Sequence, residues 1–291
     1  MKQLTILLTS ILCLIAPIKK SNAQNSWASG RYMAQAWAKT MAMANYLESN
    51  SNYGLKDNVC LLGAVLTKRK SVRFSTYLVS GQDYVFFAGG DEDATDLDIK
   101  VYSSSGVLLK KDNKTDNNPV VGFTPNRSGN YSIELIYYSG TAMKSFACLA
   151  LMKKGGNGVP VSNIVKSGKR FFSIGDLIND RASMKFHDYE NQWCLFTTIL
   201  DEGDSSTITN MDLGSENHVF FGVGDQNIED ADLFLFYNSD RNESNVLAQD
   251  VKRDATPIMT SPTRSSSNYK LKIKNHASRG KSLQITGVCT L

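Results

Sequence analysis

Histidine is scarce in this chain, and the scarcity excludes much. Only His187, His218 and His276 occur in 291 residues, and none stands in an HExxH or comparable pattern. No GxSxG surrounds a serine, and the run Ala88-Gly89-Gly90 lacks the Gly-Lys-Ser/Thr of a phosphate loop. The common hydrolytic mechanisms therefore lack their nucleophile and base, and the chain reads as non-catalytic. Long apolar runs are missing too. Beyond the N-terminal region nothing approaches the ~18 continuous apolar residues of a membrane helix. Close cysteine pairs of the CxxC kind are absent, which disfavours a four-thiolate zinc site.

What is present begins with a secretory signal. Lys2 precedes an apolar run from Leu4 to Ile18, and Ser21 and Ala23 are spaced for cleavage before Gln24. Removing residues 1–23 takes three lysines (Lys2, Lys19, Lys20) and no acid, so the net charge falls from +4 to +1. A nearly neutral mature chain has no electrostatic footprint for nucleic acid. Export places it in a periplasm, at a cell surface or outside the cell.

The chain repeats itself. A shift of 134 residues lays 58–66 (NVCLLGAVL) on 192–200 (QWCLFTTIL), 83–91 (DYVFFAGGD) on 217–225 (NHVFFGVGD), and 96–101 (DLDIKV) on 230–235 (DADLFL). Further along the offset grows to 138, with 128–135 on 266–273, and then to 141, with 146–150 on 287–291. Growth of the offset marks small loop insertions in the second copy. Each copy is a series of short Val/Ile/Phe/Tyr-rich segments cut by Gly, Asn, Asp and Ser, near 59–66, 71–79, 83–89, 97–103, 107–110, 119–124, 130–138 and 145–152 in the first. This spacing predicts an all-β fold of two tandem antiparallel β-sandwiches of jelly-roll type.

Two segments show no matching partner. Met33, Ala36, Trp37, Met41, Ala44 and Leu47 recur at three and four, which predicts an amphipathic helix ahead of the first sandwich. Residues 154–160 (KGGNGVP with Lys154) read as a linker, and 161–190 as a turn with a short helix. The expected organisation is a signal at 1–23, a helical segment at 24–55, sandwiches at 56–153 and 191–291, and between them, at 154–190, a linker and a segment whose pattern is ambiguous.

The repeat also orders the cysteines. Cys60 aligns with Cys194 and Cys148 with Cys289, one on the first and one on the last strand of each copy. In an exported chain this selects the disulfides Cys60–Cys148 and Cys194–Cys289.

In order, 81–87 (GQDYVFF), 96–102 (DLDIKVY), 105–108 (SGVL), 123–125 (FTP) and 128–135 (SGNYSIEL) resemble the bacterial pre-peptidase C-terminal domain. The likeness covers about 58–152 and, more weakly, 192–291, where Ser267 replaces Gly129. It implies an accessory β-sandwich of the kind appended to secreted proteases, some relatives of which bind collagen and calcium.

Candidate site residues are mostly acidic. Asp91, Asp93, Asp96 and Asp98 crowd one loop and strand start, and Asp225, Asp230 and Asp232 occupy the second copy. They either supply hard oxygens to calcium or bond the loop backbone. Period two turns Asp98, Lys100 and Tyr102 outward, and likewise Asp232, Phe234 and Phe236. The outward phenylalanines call for a cover, by the other sandwich, the linker or a partner, with packing between the sandwiches favoured. The expected role is non-catalytic recognition of an extracellular or cell-surface protein or glycan. The rivals are a hydrolase with an acidic or metal site and a structural envelope or matrix component.

Overall fold

A computed structural model describes residues 30–186, 191–261 and 268–290. The first half comprises α1 (Arg31–Ser51), β1 (Tyr53–Leu55), β2 (Asn58–Thr67), β3 (Lys70–Leu78), β4 (Tyr84–Gly90), β5 (Ala94–Ser103), β6 (Leu108–Asp112), β7 (Val120–Phe123), β8 (Gly129–Gly140) and β9 (Lys144–Lys154). The second comprises α2 (Val161–Ala182), β10 (Lys185–Phe186), β11 (Trp193–Leu200), β12 (Ser205–Asp212), β13 (His218–Gly224), β14 (Ile228–Tyr237), β15 (Ala248–Asp250), β16 (Ile258–Ser261), β17 (Asn268–Ser278) and β18 (Ser282–Thr290). The predicted signal at 1–23, Trp27 and His187 lie outside the described residues.

The all-β sandwich architecture holds, and the two sandwiches share a sheet. One four-stranded sheet runs β3-β8-β5-β6 and its counterpart runs β12-β17-β14-β15. Their partner layer is a single ten-stranded sheet with the path β16-β13-β18-β11-β2-β9-β4-β7, to which β1 and β10 add at β9 and β18. The join is the antiparallel pairing of β2 with β11, from Trp193 opposite Ala64 to Ile199 opposite Asn58. Both strands are apolar nearly throughout because both faces are covered, as in central strands of layered folds.

Side chains on one face of the long sheet, including Leu62, Phe86, Leu149, Phe196 and Phe220, pack against the two small sheets. The other face, including Val65, Phe87, Phe146, Leu195 and Phe221, packs under the helices. Helix α1 buries Met33, Ala36, Trp37, Met41 and Ala44, the face expected from its periodicity. Helix α2 corrects the expectation of a short helix: it has 22 residues and buries Val161, Ile164, Gly168, Phe171 and Gly175. The helical segments therefore repeat as well, and the 134-residue offset lays Trp37 on Phe171.

Close packing explains the glycines that thin out this face. A Cβ on Gly168 would lie 2.9 Å from the Trp37 ring, and one on Gly287 of β18 would lie 2.6 Å from the Phe171 ring. Phe171 stacks on Phe221 at 4.7 Å and 13°. Burying such a ring contributes roughly 2–3 kcal/mol from area alone.

The disulfide expectation is overturned, and Cys60, Cys148, Cys194 and Cys289 are buried thiols. First and last strands of each copy do pair, but Cys148 lies opposite Gly63, three positions from Cys60. Three residues span roughly 10 Å along a strand, beyond the ~7 Å Cα reach of a disulfide. Cys194 places its Sγ 3.6 Å from Gly63 O on β2, away from the β18 strand that carries Cys289. Burial pushes the Cys60 and Cys289 thiols up to about 12 and also raises Cys148.

Candidate functional site

Strands β3 and β12 are edges of their small sheets. They flank a cleft of about 630 Å³ above the β2–β11 join. Consecutive residues line each wall, Ser71 to Tyr77 on one side and Ser206 to Asn210 on the other. Side chains alternate across a strand, so an unbroken run means that the strand presents its backbone edge to the cleft. Each wall thus offers peptide N–H and C=O groups that no neighbouring strand uses.

The floor is formed by Asn58, Val59 and Trp193. Trp193 is nearly buried and donates its indole N–H to Arg73 O at 2.9 Å, tying β11 to the first half's edge strand β3. Arg73 extends from that edge over the Tyr102 ring at 4.5 Å and donates Nε–H to Glu134 Oε1 at 3.1 Å. Tyr102 and Ser71 donate to the same carboxylate at 2.7 and 2.8 Å. Burial opposes ionisation of Glu134, yet these three donors and the Arg73 charge hold its carboxyl below the usual range. Tyr102, expected to face outward, thus belongs to a network that ends at the cleft rim. Lys100 lies beside it in register with Glu134 and Lys111.

Among the described residues Asp57 is the one carboxylate in the lining, which has neither His nor Cys. It accepts from Lys153 and, at 2.7 Å, from Lys281 of the other half. Burial raises its pKa, but the two lysines outweigh burial and hold it low. A carboxylate clamped by two ammonium groups is a poor general base.

The seven acids do not gather into one site. Asp91 is spent on the fold: its carboxylate accepts from Ser145 Oγ at 2.6 Å, Phe146 N at 2.8 Å and Asp93 N at 3.0 Å. Burial nonetheless raises its pKa. Asp93 accepts from Thr141 Oγ1 at 2.5 Å. Asp225 accepts from Asn227 N at 3.0 Å and Asn163 Nδ2 at 3.2 Å, which ties β13 to α2.

The pairs Asp96/Asp98 and Asp230/Asp232 stand on the outer faces of the small sheets, beside irregularities in the strand register. Asp96 Oδ1 and Asp230 Oδ1 are buried without a hydrogen bond. Burial first, then Asp116, raises the Asp96 pKa; burial first, then Asp96, raises that of Asp98; burial first, then Asp230, raises that of Asp232. Among the described residues only Asp230, Asp232 and His276 bring three ligand atoms within 4.8 Å of one another. Sequence reasoning missed His276, which sits across from the acids on β17.

Packing between the sandwiches does not cover the outward phenylalanines. Phe236 is buried, stacks on Phe234 at 6.3 Å, and has Lys270 Nζ 5.4 Å above its ring. Lys270 and Lys272 are held by Asp240 O and Glu243 in the β14–β15 loop. That loop carries the insertion that moves the offset from 134 to 138. Asp112 and Asp250, 138 apart, bracket its far end with the same two backbone bonds each. The second copy therefore supplies its own cover. His218 is fully buried beside Phe220.

No protein-family model and no curated protein sequence matches the chain. Among solved structures, a periplasmic inhibitor of g-type lysozyme from Aeromonas hydrophila is similar at 13% identity and TM-score 0.25, covering 33% of this chain and 87% of its own. The pre-peptidase C-terminal domain of a Bacillus anthracis collagenase is similar at 9% identity and TM-score 0.28, covering 34% and 92%. The PBSX exported protein XepA is similar at 8% identity and TM-score 0.24, covering 78% and 84%. The β-sandwich fold itself rests on the chain's own strand pairings. No helix among the described residues is long and apolar enough to cross a membrane.

Proposed function

We propose that this is an exported, non-catalytic binding protein that recognises an extracellular or cell-surface protein or glycan in the cleft between its two sandwiches. In this reading 1–23 is the secretory signal, and each sandwich is a variant of the pre-peptidase C-terminal domain. The carrying observation is the pair of strand edges, β3 and β12, facing one cleft whose only carboxylate among the described residues is neutralised. Edges of this kind favour an extended polypeptide, which gains main-chain hydrogen bonds by strand addition. Probing arrays of peptides and glycans with the purified protein and with a Ser75→Trp/Thr207→Trp variant, one bulky ring on each wall, tests it. Ligands held by the wild type and lost by the variant support the cleft; equal retention by both counts against it.

Calcium at Asp96 and Asp98 belongs to the same proposal, since Asp91 and Asp225 are engaged by the fold. A calcium-dependent rise in Tm that disappears in Asp96→Asn/Asp98→Asn is the expected result.

A further inference from the structure

The second copy differs from the first at one position that changes the chemistry of its acid pair. By strand register Asp98 lies opposite Ile136 and Asp232 opposite Lys274, so His276 occupies the place of Tyr138. A tyrosine beside two carboxylates leaves an all-oxygen pair. A histidine adds a nitrogen donor.

We infer that Asp230, Asp232 and His276 form a binding site for a borderline divalent transition ion, zinc being the best fit, which the first copy lacks. Three observations carry this. The three ligand atoms lie within 4.8 Å of one another, on the adjacent strands β14 and β17. Asp230 is 92% buried by its 8% exposure, and its Oδ1 has no hydrogen-bond partner. An orphaned buried carboxylate oxygen is destabilising, and a cation at this point would remove the cost.

The third observation is a conflict at His276 Nδ1, which lies 3.2 Å from Lys274 Nζ and 3.2 Å from Asp232 Oδ2. A bare nitrogen can accept from the ammonium but then has no proton to give the carboxylate beside it. A protonated one can donate to Asp232 but then opposes the ammonium. A metal ion between Nδ1 and Oδ2 takes both lone pairs, with Lys274 swinging into solvent on its flexible stem. Two donors bound at about 2.1 Å with a tetrahedral angle sit roughly 3.4 Å apart, close to the observed 3.2 Å.

The donor set decides between ions. One imidazole and two carboxylates suit zinc and its neighbours, and leave a position for water. Three protein ligands fall well short of the six to eight oxygens that calcium takes. Half-exposure of His276 gives the ion a way in.

The test is isothermal titration of the purified protein with zinc, cobalt(II) and calcium, repeated on His276→Tyr, which restores the first copy's residue, and on Asp230→Asn. Circular dichroism confirms that the variants fold. The expected result is one zinc per chain in the wild type, at least tenfold weaker binding in both variants, and a cobalt spectrum without thiolate charge-transfer bands. Zinc bound equally by wild type and His276→Tyr, cobalt bands showing cysteine ligation, or calcium bound in preference to zinc would each overturn the inference.

Discussion

Phe171 is the residue through which α2 grips the long sheet, and replacing it with alanine should be among the costliest single changes in the chain. The ring is fully buried, stacks on Phe221 at 4.7 Å, and touches Phe186 and Phe172 at 5.8 and 5.3 Å. It enters a gap that Gly287 leaves in β18, where even a methyl group would collide with it. Rigid strands on one side and the helix backbone on the other leave little freedom to collapse into the hole. A Phe→Ala change in such a site costs about 3–5 kcal/mol. At about 2–3 °C per kcal/mol for a chain of this size, Tm should fall by roughly 6–15 °C. Urea unfolding followed by both fluorescence and far-UV circular dichroism is the assay, because one shared sheet should give coincident transitions. A loss below about 1 kcal/mol would refute docking of α2 on the sheet.

Three further outcomes are expected. Because Cys60, Cys148, Cys194 and Cys289 are buried thiols, a thiol reagent should label none of these four in the native protein and all four in denaturant, and reductant should leave Tm unchanged. Trp193→Phe should cost about 1 kcal/mol, the value of the indole bond to Arg73 O, measured by urea unfolding. In calcium-free buffer Asp96→Asn should stabilise the protein at pH 7 by on the order of 1 kcal/mol. Burial raises the Asp96 pKa, so the folded state holds a proton that the unfolded state has released, and stability falls as pH rises from about 3.9 through the folded value. The advantage of Asn should accordingly vanish below about pH 4, as thermal melts across pH would show.

The strands were legible because each is a short apolar run closed by turn residues, and the repeat doubled every such signal. Helix α2 was not, because Asn163, Ser167, Gly168 and Gly175 occupy four of its seven buried positions and dilute the apolar pattern they serve. Those glycines answer to Trp37 and Phe186, residues far off in the chain or across a turn. The shared sheet left a trace that could have been used: β2 and β11 lack the alternation of half-exposed strands, and both are apolar on both faces. The cleft exists only because these two strands pair, and nothing local encodes that choice. The disulfide expectation failed for a related reason. Alignment of two copies identifies which strands neighbour one another but not their register, and a three-residue stagger separates Cys60 from Cys148. Among the acids, sequence spacing found both pairs, whereas His276 came from a strand some forty residues on and joined them only through the β14–β17 register.

The cleft is the centre of the account, and binding affinity with its walls altered tests it most directly. Titrating the tightest array ligand into the wild type and into Ser75→Trp/Thr207→Trp should show affinity falling at least tenfold with Tm unchanged. Equal affinity in the two proteins, or no ligand among the peptides and glycans for either, would contradict it.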